Sequence, residues 1–445
     1  MSRQDLTTSQ VAIAKFKDIK PDIIENAVNN IINMLNRDLF TQLVNGKAVL
    51  IKPNWASPVL VGFPNYWPIE RYATSLLANH TNPYVITAIA KTVRDAGARR
   101  VIIGESPALS PFTYAYENLY VNAKNTMNLQ EEVEVPEFIE IADFNNEKQY
   151  IVKVNTPYTL DKVIVPQTVM EVDVIISVAR LKTHRMARIT AGLKNMALGG
   201  VPGSASSEAA AEAGSWRKWI EFEKMFIDLP ISEKKKLALK LTKSRLHGAS
   251  IKHFPEKAGR ELQIIEKNGY RNAIMFPEYD LWEGAEISDL LEAQGGIDFT
   301  IVCADYGVEG EGPHIGEKAF PVNIMERVGS YLLIGGFDPV ACDAVTARIM
   351  GWSNDEINAW PGIPALHFCS MKRMGISDLS RIKVLGLVDK FIQASSLDIP
   401  NTTFMRAPWE NRWWWERWLP AIHKYGEPEI LPELKANNTY TSNNG

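Results

Sequence analysis

Val172-Asp173-Val174-Ile175-Ile176-Ser177-Val178 runs on to Leu181-Lys182-Thr183-His184. The first part is almost continuously apolar and β-branched, which predicts a strand buried on both faces, as strands are in parallel sheets. The second part is basic, so the strand carries positive charge to its own carboxyl end. Outward from it the chain alternates. On the N-terminal side Val11–Phe16, Ala48–Ile51, Arg100–Gly104 and Lys162–Val165 read as strands, and Pro21–Leu35 and Pro83–Ala96 have helical apolar spacing. Asn82 and Pro83 open the second helix and Gly97 stops it. On the C-terminal side Ile287–Ala293 reads as a helix, and Phe299–Cys303 and Tyr331–Ile334 as strands. Asp338-Pro339 then opens a helix through Met350, and Ile382–Leu387 is a last strand. This order predicts an α/β fold with a mainly parallel sheet covered by helices on both faces.

The expected division is a first α/β half over 1–203, a helical insertion or lid over 204–270, a second α/β half over 271–388 completing the same site, and a Trp-rich, irregular tail over 389–445. The insertion follows Gly199-Gly200-Val201-Pro202-Gly203, where a hinge costs little, so closure over a ligand is expected. A solvated excursion is the plainer alternative. In the tail, Trp409, Trp413, Trp414, Trp415 and Trp418 form a patch for a partner or surface contact, or a clasp across the domain.

The chain has 445 residues, 46% hydrophobic and 22% charged, enough apolar material for a large core. A net charge of −4 gives no global attraction to nucleic acid. Cys303, Cys342 and Cys369 are too few and too scattered for a disulfide framework, a structural zinc site or an iron–sulfur cluster held by the chain's own cysteines. No apolar leader and no transmembrane run stand in the sequence, which predicts a cytoplasmic protein.

Ligands of such sheets bind beyond the carboxyl ends of the strands, and the polar clusters fall there. Lys182 and His184 project to one side of an extended chain, with Arg180, Arg185, Arg188 and Lys194 adding charge and Asn195 following. Glycine turns beside them allow close backbone approach, so the cluster suits a small anion, a phosphate, carboxylate or enolate. Lys52-Pro53-Asn54 ends another strand and points Lys52 and Asn54 toward the same crevice. The third cluster, Asp305-Tyr306-Gly307-Val308-Glu309-Gly310-Glu311-Gly312-Pro313-His314, reads as a glycine-rich loop. Its Asp305, Glu309, Glu311 and His314 are candidates for a divalent metal or for acid/base work, and Gly310 and Gly312 for backbone contact with the ligand. A basic edge and a polar turn, both merely solvated, are the structural alternatives. Asp338 reads as a helix N-cap.

Taken in order, these segments resemble the domain-of-unknown-function 362 family. The resemblance rests on Lys52-Pro53-Asn54, Asn82-Pro83, Val101 to Ser106, Asp173 to Ile176, Leu181 to His184, Leu193-Lys194-Asn195, Asp305 with Glu309-Gly310 and Gly312-Pro313, and Asp338 to Val345. Some members of that family carry iron–sulfur cysteine motifs in an added ferredoxin-like region, and this sequence has none. The strand–Lys–His–glycine arrangement is also similar, more distantly, to the lactate racemase apoprotein family, where a comparable region serves a nickel-pincer cofactor.

These readings point to an enzyme acting on a small carboxylate or phosphate by general acid/base chemistry, with a divalent metal as a further option. His184 is the expected acid/base, since imidazole titrates near neutrality. Lys52, Lys182 and Lys194 hold the anion, Asp305 and Glu309 orient it or bind metal, and Asn54 and Asn195 donate hydrogen bonds. An oxidoreductase relying on a partner or bound cofactor, and a non-catalytic ligand-binding protein, are the alternatives.

Overall fold

A computed structural model describes residues 7–55, 78–106, 136–144, 147–158, 160, 162–184, 187–201, 275–310, 319–358 and 363–386. The expected lid and the Trp-rich tail lie outside the described residues, as do Glu311, Gly312 and His314.

The strands are β1 (Ser9–Phe16), β2 (Ala48–Lys52), β3 (Arg100–Glu105), β4 (Ile139–Asp143), β5 (Gln149–Lys153), β6 (Lys162–Pro166), β7 (Val174–His184), β8 (Arg188–Thr190), β9 (Phe299–Gly310), β10 (Ala319–Asn323), β11 (Tyr331–Gly336) and β12 (Ile382–Leu385). The helices are α1 (Pro21–Leu35), α2 (Arg37–Val44), α3 (Pro83–Asp95), α4 (Gln167–Glu171), α5 (Gly192–Gly199), α6 (Met275–Ala293), α7 (Ile324–Val328), α8 (Pro339–Ile349), α9 (Asn354–Asn358) and α10 (Pro364–Met371).

One sheet carries most of the strands, in the order β12-β1-β11-β9-β7-β2-β3-β4, with β8 added to β7 and β10 to β9. From β9 to β4 every neighbouring pair is parallel. β11 runs against both β9 and β1, and β12 lies parallel to β1 at the edge. The sheet is therefore mixed but mainly parallel. β6, read from the sequence as a strand, pairs with β5 in a separate antiparallel ribbon.

Strand alternation explains the two-sided core. Val174, Ile176 and Val178 of β7 pack on the layer formed by α1, α2 and α3. Ile175, Ala179 and Leu181 pack on the opposite layer, which includes α5, α6, α8 and α10. Helix ends follow the sequence signals: Asn82 accepts from Tyr84 N at 2.9 Å, and Asp338 accepts from Ala341 N at 2.9 Å.

Two differences from the sequence reading matter for the site. β7 does not stop at Val178 but continues, fully buried, through Lys182 and His184. β9 likewise continues from Cys303 to Gly310, so Asp305 and Glu309 are strand residues rather than members of a glycine loop. Apolar runs mark only the part of a strand buried among apolar neighbours. Here the charged ends are buried among each other.

Connectivity then sets a switch point between β2 and β7. β2 leads to β3 through α3 on one face, whereas β7 leads toward β9 by way of α5 and α6 on the other. β2 and β7 are adjacent and parallel, so their connections diverge at their carboxyl ends. Such a switch point is where open α/β sheets bind ligands.

Candidate functional site

Lys52 ends β2 as a fully buried lysine. Its Nζ sits 2.6 Å from Glu105 Oε1, donates to Pro53 O at 2.7 Å, and lies 3.3 Å from Asn195 Oδ1. Three acceptors match the three hydrogens of an ammonium. Burial pulls this lysine down, and Glu105 opposes the pull. Glu105, the last residue of β3, also accepts from Trp55 N at 2.9 Å and Ser106 N at 3.0 Å.

Asn195, on the first turns of α5, is saturated. Its Oδ1 accepts from Asn54 Nδ2 at 3.2 Å as well as from Lys52, and its Nδ2 donates to Lys52 O at 3.0 Å and Ser177 Oγ at 3.1 Å. It therefore ties β2, β7 and α5 together rather than offering an N–H to a ligand. Asn54 continues the chain of bonds: its backbone N donates to Thr81 Oγ1 at 2.8 Å, and its Oδ1 accepts from Lys182 Nζ at 2.7 Å.

Lys182 differs from Lys52. It is 5% exposed, and its Nζ donates to Asn54 Oδ1 and, at 3.0 Å, to the Asn79 carbonyl. Among the described residues no carboxylate touches it. Two acceptors suit the two hydrogens of a neutral amine and leave its lone pair unassigned. Burial, with Lys194 and Arg180 adding repulsion, lowers Lys182 to about 7.

His184 stands two residues further along β7, opposite Arg188 in the β8 pairing. Its Nδ1 accepts from Ala187 N at 3.0 Å, so the neutral ring carries its hydrogen on Nε2. Protonating Nδ1 would turn that acceptor into a donor aimed at another N–H.

Asp305 lies where the β7–β9 pairing steps from Arg180↔Cys303 to Lys182↔Val308, two residues along β7 against five along β9. This irregularity re-aims the side chain. Asp305 pairs with Arg180, both buried, and accepts from Asn82 Nδ2 at 3.0 Å and Tyr306 N at 2.8 Å. Glu309 is held by Arg327 of α7 at 2.8 Å. Gly310 ends β9 with φ 84°, a conformation that favours glycine. Among the described residues no group of three or more His, Cys, Asp or Glu side chains is placed to hold a metal. The three cysteines are buried free thiols, and burial pushes Cys303 up to about 12.

α5 is anchored from afar. Its N-cap residue Ala191 offers no side-chain acceptor, and Asp343 of α8 takes the Gly192 N–H at 2.7 Å and the Leu193 N–H at 2.9 Å. Burial, opposed by these two bonds, raises Asp343 to about 7. A side chain at Gly192 would meet Thr300 Cγ2 at 2.6 Å. Lys194, on the same helix, reaches Glu283 Oε1 of α6 at 3.1 Å.

Lys52, Asn54, Lys182 and Asn195 thus form one connected hydrogen-bonded network at the carboxyl ends of β2 and β7. Asp305 lies at the same end of the sheet in a pair of its own, and Glu309 is engaged by a different helix. Glu105, Asn79, Asp343 and Glu283 were not among the expected site residues. Glu105 carried a local signal, a carboxylate closing an apolar strand; the others depend on long-range packing.

The model of the family described as Domain of unknown function (DUF362) matches residues 49–348. The chain belongs to the DUF362 family. That match runs from β2 into α8, so every DUF362 residue described above lies inside it. No curated protein matches the chain. Among solved structures, a structural-genomics target protein from Thermotoga maritima is similar with 11% identity and a TM-score of 0.30, over 75% of this chain and 60% of that one. The lactate racemase apoprotein from Thermoanaerobacterium thermosaccharolyticum is similar with 15% identity and a TM-score of 0.29, over 71% of this chain and 54% of that one. The chain spans less than two thirds of either protein. Among the described residues no helix is long and apolar enough to cross a membrane.

Proposed function

We propose that this DUF362 member is an enzyme that binds a small carboxylate or phosphate at the β2–β7 switch point and moves a proton with Lys182. The observation that carries this reading is the state of Lys182: buried, held by two carbonyl-type oxygens and lowered to about 7. An amine poised near the operating pH is an effective general base, and its ammonium form is a ligand for an anion. Lys194 supplies a second cation on the adjoining helix. Lys52 is committed to Glu105 and acts by positioning Asn54 and Asn195. His184, with Nδ1 occupied, serves as a hydrogen-bond donor through Nε2, so the acid/base role expected for it passes to Lys182. Asp305 supports the site by neutralising Arg180.

The test is mass spectrometry of gently purified protein, followed by incubation of the co-purifying acid in D2O. Deuterium should enter a C–H next to the acid group, about 10²–10⁴-fold more slowly with Lys182→Met. A co-purifying anion that never exchanges would make the crevice a receptor rather than an active site.

A further inference from the structure

The stretch 78–82 ahead of α3 is fastened to the ends of β7 and β9. Ala78 packs on Val308, the β9 residue in register with Lys182. Thr81 Oγ1 donates to Val178 O at 2.8 Å, and Asn82 Nδ2 donates to Asp305 at 3.0 Å. In the same stretch the Asn79 carbonyl accepts from Lys182 Nζ at 3.0 Å. The Asn79 side chain takes no part in this bonding. Asn79 is 5% exposed, and among the described residues neither its Oδ1 nor its Nδ2 has a hydrogen-bond partner.

A second such group stands across the ladder. Thr190 of β8 is directly opposite Lys182. Side chains so placed in an antiparallel pair share one face, with Cβ atoms about 5 Å apart. Thr190 is 4% exposed, and its Oγ1 also has no partner among the described residues. Thr81 and Thr183 show the ordinary alternative, each donating to a strand carbonyl, Val178 O at 2.8 Å and Val308 O at 3.1 Å. Buried polar atoms are nearly always paired, because leaving one without a partner costs its full desolvation. Here three of them belong to the two residues that adjoin Lys182, one through its carbonyl and the other through strand register.

Resting on the function proposed above, we propose that Asn79 and Thr190 are substrate-binding residues of the Lys182 site and select an acid that carries a neutral hydrogen-bond donor. A carboxylate accepts and never donates, so it can take hydrogens from Asn79 Nδ2 and Thr190 Oγ1 but leaves Asn79 Oδ1 unpaired. Oδ1 needs an O–H or N–H from the ligand. An ammonium would meet the repulsion that Lys194 and Arg180 already exert on Lys182, so the donor is an uncharged hydroxyl or amide. A site shaped to bond such a group rejects the analogue that lacks it, because its own buried atoms are then left unpaired.

The experiment is calorimetric titration of the full-length protein with two matched pairs of small acids. Tartronate differs from malonate by one hydroxyl, and malonamate differs from monomethyl malonate by an amide at equal charge. The wild type should bind the donor-bearing member of one pair about 10–100-fold more tightly, and that pair names the donor. Asn79→Leu keeps the backbone carbonyl that holds Lys182, so it should remove the preference while ligand-free melting stays near that of the wild type. Thr190→Val should weaken both members of the preferred pair alike. Equal binding within both pairs by the wild type overturns the inference and leaves the anion site standing, as does a preference that survives Asn79→Leu. Asn79→Ala repeats the comparison without added bulk; if both variants melt well below the wild type, the amide is structural and the inference falls. If none of the four acids binds, the function proposed above fails, and this inference fails with it.

Discussion

At the scale of single residues, two buried lysines close together have opposite jobs because of what their three hydrogens meet. Lys52 meets three acceptors including Glu105, whereas Lys182 meets two neutral oxygens. Lys182→Met should therefore cost proton transfer about 10²–10⁴-fold, whereas His184→Gln, which keeps an N–H donor, should cost less than about tenfold. Side-by-side exchange rates in D2O check this; equal losses would return the acid/base role to His184. Asp305 makes a different prediction. Asp305→Asn leaves the Arg180 guanidinium buried beside an uncharged partner, and breaking such pairs costs about 3–5 kcal/mol. Denaturant unfolding should show that loss, and an unchanged midpoint would argue against a supporting role for the pair.

At the scale of elements, α5 is the piece that assembles the site, and it is short and poorly capped by its own sequence. Asp343 supplies the missing cap from α8. Asp343→Ala should destabilise by about 1–2 kcal/mol and speed amide exchange at Gly192 and Leu193. It should also weaken malonate binding, because Lys194 and Asn195 ride on that helix. The other end of α5 is equally constrained. A Cβ on Gly199 would stand 2.5 Å from Lys52 Nζ and 3.0 Å from Glu105 Oε1. Gly199→Ala must push apart a buried ion pair, and about 1–3 kcal/mol of destabilisation is expected from such overpacking. Calorimetric melting of the variant measures it.

At the scale of the whole molecule, the buried groups make stability depend on pH in opposite directions. Asp343 is raised to about 7 from 3.8, so the folded chain binds more protons than the unfolded chain between those values. Its stabilisation is present below about pH 4 and is lost as pH rises through 7. Lys182 is lowered from 10.5 to about 7, so its contribution is present above 10.5 and lost as pH falls through 7. On the function proposed above, a small dicarboxylate such as malonate pairs with the Lys182 ammonium and relieves the second strain. Its thermal stabilisation should be larger at pH 6.5 than at pH 9, given the Lys182 value of about 7, and Lys182→Met should flatten that difference. A thermal-shift series over this range decides it.

Much of this architecture is written locally. Continuous β-branched runs such as Ala48–Ile51 and Val174–Val178 specify buried strands, and Asn82-Pro83 and Asp338-Pro339 specify helix starts, because each signal acts within a few residues. The same runs end in Lys52-Pro53-Asn54 and in Lys182, so the basic residues at these strand ends were legible too. Tertiary structure alone decided which charges are spent. Glu105 claims Lys52, Asp305 claims Arg180, Asp343 caps α5 and Glu283 holds Lys194, contacts that each join separate elements. No periodicity encodes such pairings, since they depend on strand order and on the face each helix covers. Burial then sets the protonation: desolvation lowers Lys182 and raises Glu286, and desolvation is a property of the packed molecule, not of the residue.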